Sequence, residues 1–476
     1  MSAPDPAEGH RLDPADWDAW ERRLHAVASA CVERLRAARD LPWTPPPADM
    51  AARVALDDVA APDPEVLDAV LADVVPFATG NTHPRFFGWV HGTGTALGAA
   101  AELIAATMNA NTGGRDQGAA HVERAVLAWL HRVAGWPEEA SGLLTSGTSQ
   151  ATVLAFATAR MRAFPEVRAR GIAGLPPVRV YAAEGAHSCV KKALEVMGHG
   201  ADALVGVAAP GGRMDPDALR AAVAADRAAG RHPLAVVGTA GSVNLGTFDD
   251  LGALADLCAA EGLWLHADAA FGFWTRLAEP PWRGLSAGIE RADSVALDFH
   301  KWMAAPYAAG AVLIRDRAAH LAAFRERPDY LAEGAEGLAG GDWWATDYGL
   351  ELSRGFAALK VWATVRGLGT DALGAQVTDN CRQAATMGRL AQASDVLDLA
   401  HPVASNVCTI RPRRGDADAL AARLQLDGTA VFSTTKVGGA ACLRAAIVNH
   451  RTTEADVRAA VAALERAVRA AGAPGA

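Results

Sequence analysis

The chain has 476 residues, 51% hydrophobic and 21% charged, the balance of a globular protein with an ample core and room for two or three domains. Its formal net charge of -9 argues against a nucleic-acid partner, and no basic cluster rises above the solvated face at 411–414. Six scattered cysteines without a Cys-x-x-Cys pair point to a reduced, cytoplasmic protein with no structural metal, and the Ala-rich segments are broken by charges well short of the roughly 20 apolar residues that a membrane span needs.

The first 16 residues are polar and Pro-rich, without the apolar run of a secretory signal. Trp17, Trp20, Leu24, Val27, Cys31 and Leu35 then recur at helical spacing and predict an amphipathic helix over 14–39, with Asp13 as its cap. A stiff Pro-rich linker at 41–47 and a short helix over 64–75 follow. His83-Pro84-Arg85-Phe86-Phe87-Gly88 is a rigid aromatic turn that, taken alone, reads as core packing. The Gly-rich runs 92–98 and 109–114 read as backbone-permissive connections, with helices over 99–108 and 119–134.

Thr145-Ser146-Gly147-Thr148-Ser149 opens a helix running through Arg160. One hydroxyl would be a plain N-cap, but four in five residues around a glycine exceed that need. Small hydroxyl residues at a helix start leave backbone N–H groups and the positive end of the dipole open to a phosphate, so Thr148 and Ser149 are assigned to one. A strand over 178–183 leads to Ala186-His187-Ser188 at the next helix start, where a lone histidine reads as a cap. Strands over 203–207 and 234–240, a helix over 249–261 and strands ending at Asp268 and Asp298 alternate, which predicts a parallel sheet with right-handed crossovers. In Gly238-Thr239-Ala240-Gly241-Ser242 small residues let the chain pass close to a ligand, with Ser242 and Asn244 as polar contacts. No Gly-x-Gly-x-x-Gly follows a strand, which disfavours a dinucleotide site.

Chemistry concentrates between Gly262 and Trp302. Leu263-Trp264-Leu265-His266-Ala267-Asp268 is an apolar run that stops on a carboxylate, and Ser294-Val295-Ala296-Leu297 repeats it before Asp298-Phe299-His300-Lys301-Trp302. An isolated lysine past a buried strand reads as a surface amine. With a carboxylate at the preceding strand end and a histidine beside it, the set is what pyridoxal phosphate chemistry needs: Lys301 to form a Schiff base, Asp268 to hold the pyridine nitrogen protonated, and His300 near the phosphate or the Schiff base. Beyond it come a strand over 311–314 and an irregular stretch over 325–343 carrying Tyr330, of a size that is usually functional or mobile. Leu352-Ser353-Arg354-Gly355-Phe356 opens a helix through Val365; Arg354 reads either as a bidentate carboxylate ligand or as a tie from helix to core. A helix over 371–393, strands at 406–411, 429–434 and 441–449, and a last helix opened by a Thr453/Asp456 capping box make a small α/β domain.

In this order the motifs resemble the group II pyridoxal-phosphate-dependent amino acid decarboxylases, which include the aromatic-amino-acid, histidine and glutamate decarboxylases. The resemblance spans roughly residues 76–373. It implies an α/β fold-type-I architecture, similar to aspartate aminotransferase, with a mostly parallel central sheet, helices on both faces and a small C-terminal α/β domain. Residues 1–80 would be a helical segment wrapping the second subunit, 81–370 the cofactor domain and 371–476 the small domain. It further implies a homodimer with active sites at the interface, and an L-amino acid substrate, aromatic or related, decarboxylated through an external aldimine and a quinonoid. In the resemblance His187 stacks on the pyridine face, His83 and Phe86 line the substrate pocket, and Arg354 binds the substrate carboxylate. Tyr330, from a mobile loop of the neighbouring subunit, protonates the quinonoid, with His187 as the other donor. Gln150 departs from the family, where many members carry Glu. An oxidative aldehyde synthase and a carbon–carbon lyase are the alternatives within the same chemistry; a silent pyridoxal phosphate-binding protein is the rival from another class. The glycines between 88 and 114 leave the substrate side chain unspecified.

Overall fold

The computed structural model describes residues 12–56, 61–326, 334 and 336–471. The apolar runs ending in Asp268 and Asp298 become neighbouring strands buried at every residue, as strands covered by helices on both faces must be. The central sheet comprises β1 (Ser141–Thr145), β2 (Val178–Ala183), β3 (Leu204–Val207), β4 (His232–Thr239), β5 (Trp264–Asp268), β6 (Ser294–Asp298) and β7 (Gly310–Ile314), in the order β1-β7-β6-β5-β4-β2-β3. The pairs β3–β2, β2–β4, β4–β5 and β5–β6 are parallel. The sheet is mixed rather than wholly parallel, because β7 runs antiparallel to both β6 and β1. A connection without a crossover helix joins β6 to β7, and such a connection reverses the chain. Strand β1 was not among the expected elements; Ser-Gly-Leu-Leu-Thr is too short and too mixed to declare itself.

A second, antiparallel sheet follows: β8 (Leu397–Leu399), β9 (Val407–Pro412), β10 (Ser433–Val437) and β11 (Ala440–Ala446), in the order β10-β11-β9-β8. The strand expected over 429–434 is displaced, since Gly438 and Gly439, both at positive φ, make the two-residue turn that sets the β10–β11 register. The last helix, Glu454–Ala471, starts at the expected box: Asp456 accepts from the Thr453 N–H (2.9 Å) and Thr453 Oγ1 accepts from the Asp456 N–H (3.3 Å). The helix Thr370–Ala393 joins the two sheets. Its Leu373, Val377 and Cys381 pack in the core of the large sheet, and Ala384, Met387 and Ala391 in that of the small one.

At the other end, the first helix is Trp17–Arg36, capped by Asp16 rather than Asp13, through the Ala19 N–H (2.9 Å). None of its residues is buried, and Trp17 stays 61% exposed.

Arg354 takes the structural one of its two readings. Its Nη1 and Nη2 donate to Glu123 Oε2 and Oε1 (3.0 and 2.8 Å), and Nη2 also reaches the Leu144 carbonyl (2.8 Å). Glu123, on the helix Gly118–Ala134, accepts in turn from the Leu144 N–H (3.0 Å). The guanidinium fork is therefore spent on a buried carboxylate that staples this helix to β1. Removing one partner leaves the other charge buried and unpaired, so Arg354→Met should destabilise by about 3–5 kcal/mol, and the double variant with Glu123→Leu should recover much of the loss. Urea titrations of the single and double variants measure it; loss of substrate affinity with unchanged stability would restore the carboxylate-binding role.

Two buried histidines add a pH dependence. His320 holds Ser141 Oγ at Nδ1 and the Tyr348 carbonyl at Nε2, both at 2.9 Å, and His266 lies 2.8 Å from Ser294 Oγ. Burial pushes each from the ordinary 6.5 down to about 3. A histidine kept neutral by folding contributes stability that is fully present above about pH 6.5 and is lost as pH falls towards 3. The urea midpoint should therefore drop between about pH 7 and about pH 5, and His320→Gln, less stable at neutral pH, should show a shallower drop.

Candidate active site

The register of three parallel strands builds the site. Thr239 at the end of β4 lies opposite Asp268 at the end of β5, and Asp268 opposite Ala296 of β6, two residues before Asp298. All three carboxyl ends open on one cleft of about 840 Å³. Of the residues expected from sequence, Thr148, Ser149, His187, Ser242, Asp268, His300 and Lys301 line it.

Asp268 is 5% exposed, and burial pushes its carboxyl above the usual carboxylate range against the pull of Lys301 and His187. The Lys301 ammonium sits on Asp298, Nζ to Oδ2 2.7 Å. Asp298 Oδ1 accepts the Thr148 N–H (2.7 Å) at the start of the helix Thr148–Ala163. His187 caps the helix Ser188–Val196, its Nδ1 accepting from the Cys189 N–H (3.2 Å), which leaves the proton of the neutral ring on Nε2. The cap reading and the cleft reading thus hold together. His300 Nδ1 lies against Ala309, 2.8 Å from its carbonyl oxygen and 3.2 Å from its backbone nitrogen, and burial pushes its pKa down. The Ser242 hydroxyl is engaged by Thr247 of its own loop (2.7 Å), and Asn244 by Thr435 of β10 (3.1 Å).

Three expected residues are not on the cleft. His83 and Phe86 are 4% and 3% exposed: Arg85 and Phe87 pair with Val431, which seats Phe87 in the core of the second sheet, and the His83 carbonyl accepts from Asn449 (2.9 Å). The segment reaches the cleft further on, at Trp89, Val90 and His91, where the His91 ring stacks with that of Trp89 (5.5 Å) and also with that of Phe86 (5.7 Å). Gly92 permits that path: a Cβ there would meet the His300 carbonyl oxygen at 1.8 Å. Arg354 faces Glu123 instead. Tyr330 lies outside the described residues.

Sequence reasoning also left out Asp298 and Arg444. Asp298 stood inside the quoted motif without a role. Arg444, on β11, is 3% exposed; Nη1 donates to the Trp89 carbonyl (2.9 Å), while Nε and Nη2 have no partner among the described residues. A single arginine in an otherwise apolar strand, Cys442-Leu443-Arg444-Ala445, was the available signal.

Whether pyridoxal phosphate suits these residues is tested by what they leave unsatisfied. Thr148 Oγ1 is buried at the helix start with no partner among the described residues, a free donor where a phosphate would lie. Asp268 is a buried carboxylate whose burial calls for a cation, which a pyridinium nitrogen provides. The cleft also holds a lysine whose side chain is 23% exposed. The donor set fits the cofactor.

Comparison with known proteins agrees with this chemistry. The pyridoxal-dependent decarboxylase conserved domain matches residues 47–409. The chain is similar to an L-2,4-diaminobutyrate decarboxylase of Rhizobium meliloti, 32% identical over 78% of this chain and 75% of the relative. It is also similar to an aromatic-L-amino-acid decarboxylase of Bacillus atrophaeus, 30% identical over 78% of each. Among solved structures, Oryza sativa TDC with PLP and tryptamine superposes with a TM-score of 0.88 at 25% identity, covering 96% of this chain and 99% of that one. A cleft whose unsatisfied groups match the cofactor, on a fold shared along nearly the whole chain, places this protein in the group II pyridoxal-phosphate-dependent amino acid decarboxylases.

Proposed function

We propose that the chain decarboxylates an L-amino acid with an aromatic or related side chain, releasing carbon dioxide and the amine. The convergence of Lys301, Asp268 and His187 on one cleft carries the reading. Pyridoxal phosphate, when bound, supplies the electron sink for the pair left on Cα as carbon dioxide departs. Lys301 would be the amine that holds the cofactor. Thr148 and Ser149 hold the phosphate at a helix start, and Asp268 keeps a proton on the ring nitrogen by remaining ionised beside it. His187 has its Nε2 proton to give at Cα. Tyr330, placed by resemblance alone, is the second donor, and a phenolic acid there favours the amine over an aldehyde product. The stacked rings of Trp89 and His91 on the cleft support a flat side chain.

Arg444 favours a second reading. Its free Nε and Nη2 present a bidentate edge to a carboxylate, so either the α-carboxylate is held there or the substrate carries an acidic side chain. Carbon dioxide release from each L-amino acid, followed by borohydride reduction and peptide mapping, tests both. Release from aromatic substrates with the pyridoxyl label on Lys301 is expected; a label on Lys191 or Lys192 refutes the site. Arg444→Gln should raise KM about 10- to 100-fold for every substrate if it holds the α-carboxylate, and for acidic substrates alone if it reads the side chain.

The same reading makes the protein a cytoplasmic homodimer. The six cysteines are free, five of them buried, and among the described residues no helix is long and apolar enough to cross a membrane. Leu97, Leu103, Ile104 and Met108 stand exposed on the helix Ala96–Met108, an apolar face that a second copy would cover. Light scattering should give twice the chain mass, and Ile104→Glu should shift it towards one; a monomeric wild type refutes the dimer.

A further inference from the structure

Asp298 carries more contacts than the chemistry above uses. It is 2% exposed, and both oxygens are occupied: Oδ2 by the Lys301 ammonium at 2.7 Å, Oδ1 by the Thr148 N–H at 2.7 Å. The space around it is shaped for a carboxylate. Gly310 and Gly147 flank it, and a Cβ on Gly310 would stand 2.7 Å from Oδ1 and 2.6 Å from the Gly147 Cα. His300 Nε2 lies 3.9 Å from Oδ2. A carboxylate this buried is costly unless a cation stays with it, and Lys301 is its close cationic partner.

We propose that Asp298 is a positioning residue, the seat that holds the Lys301 amine whenever that amine is not bonded to the cofactor. The proposal rests on the reading of Lys301 as the cofactor lysine. When a substrate ammonium replaces Lys301 on the cofactor carbon, the new C–N bond forms as the old one breaks. Between two protonated imines, two of the substrate ammonium's protons would pass to the leaving lysine, so one ammonium is consumed and one appears, with no change of charge. Asp298 receives that ammonium. Seated 2.7 Å from a carboxylate, the departing ammonium is held by its counter-charge, and the reverse attack on the same carbon is suppressed. Through Oδ1 the same side chain fixes the first N–H of the helix that bears Thr148 and Ser149, so the position of the freed lysine is tied to that of the phosphate-binding turn. Because the Thr148 N–H is spent on Asp298, the Thr148 hydroxyl and Ser149 are left for the phosphate.

Competition for the cofactor tests the seat without turnover. Holoenzyme is titrated with 2-phenylethylamine as probe, reduced with borohydride, and the pyridoxyl label on Lys301 is measured against that on the amine. Asp298→Asn keeps the shape and the Thr148 contact but removes the charge; it should need at least about tenfold more amine for the same division, the scale of one hydrogen bond between charged groups. An unchanged division overturns the proposal, whereas a merely structural role would lower the melting temperature or cofactor retention and leave the division alone. Absence of label from Lys301 in the wild type would refute the functional reading instead. Should Asp298→Asn fail to fold, cofactor-free Lys301→Ala offers the empty seat: methylammonium should raise its melting temperature saturably and tetramethylammonium should not. No saturable shift refutes the seat.

Discussion

Parallel pairing of three fully buried strands governs the cleft, because side chains alternate across a strand and a one-residue slip would turn each end residue to the opposite face. With Thr239 opposite Asp268 and Asp268 opposite Ala296, the ends of β4, β5 and β6 present their polar residues to one space. The packing that holds this register is apolar on both faces: Val236 and Leu265 face one core, Val237 and Trp264 the other. Thr239 is held further by its N–H, which Asp249 Oδ2 accepts at 2.7 Å while Oδ1 accepts from Met214.

Charge in the cleft is arranged so that each buried group depends on another. Asp298 pairs with Lys301, Asp268 is raised by burial, and Arg444 is lowered by the same cause to about 10. Desolvation makes unpaired ions expensive, and the cleft holds a buried carboxylate, a hydroxyl without a partner among the described residues and a half-satisfied guanidinium side by side. Arg444 also works outward, since its bond to the Trp89 carbonyl holds a non-glycine residue at φ 52 on the rim of the cleft.

The two sheets act as one support for that rim. The helix Thr370–Ala393 spans both cores, Trp302 donates to Asn380 on it (2.9 Å), and Phe87 sits in the small domain's core while Trp89 and His91 reach the cleft. Disturbing β11 should therefore be felt at Trp89 without any change in β4, β5 and β6.

Period and punctuation made much of this legible in the sequence. Apolar runs that stop on a carboxylate marked β5 and β6, four hydroxyls around Gly147 marked a helix start, and the Thr453/Asp456 box marked the last helix, because each is a local pattern with a local cause. What tertiary structure alone decided was where pairing partners lie. Arg354 reads the same whether its fork meets a substrate or Glu123, more than two hundred residues earlier in the chain; only packing brings the helix Gly118–Ala134 beneath it. Phe86 was drawn away from the cleft by the backbone pairing of Arg85 and Phe87 with Val431, and His83 by Asn449, whose side chain donates to its carbonyl, which no local spacing announces. Asp298 and Arg444 likewise acquired their importance from what surrounds them once folded, since burial and the absence or presence of a counter-charge are properties of the packed chain and not of any stretch of it.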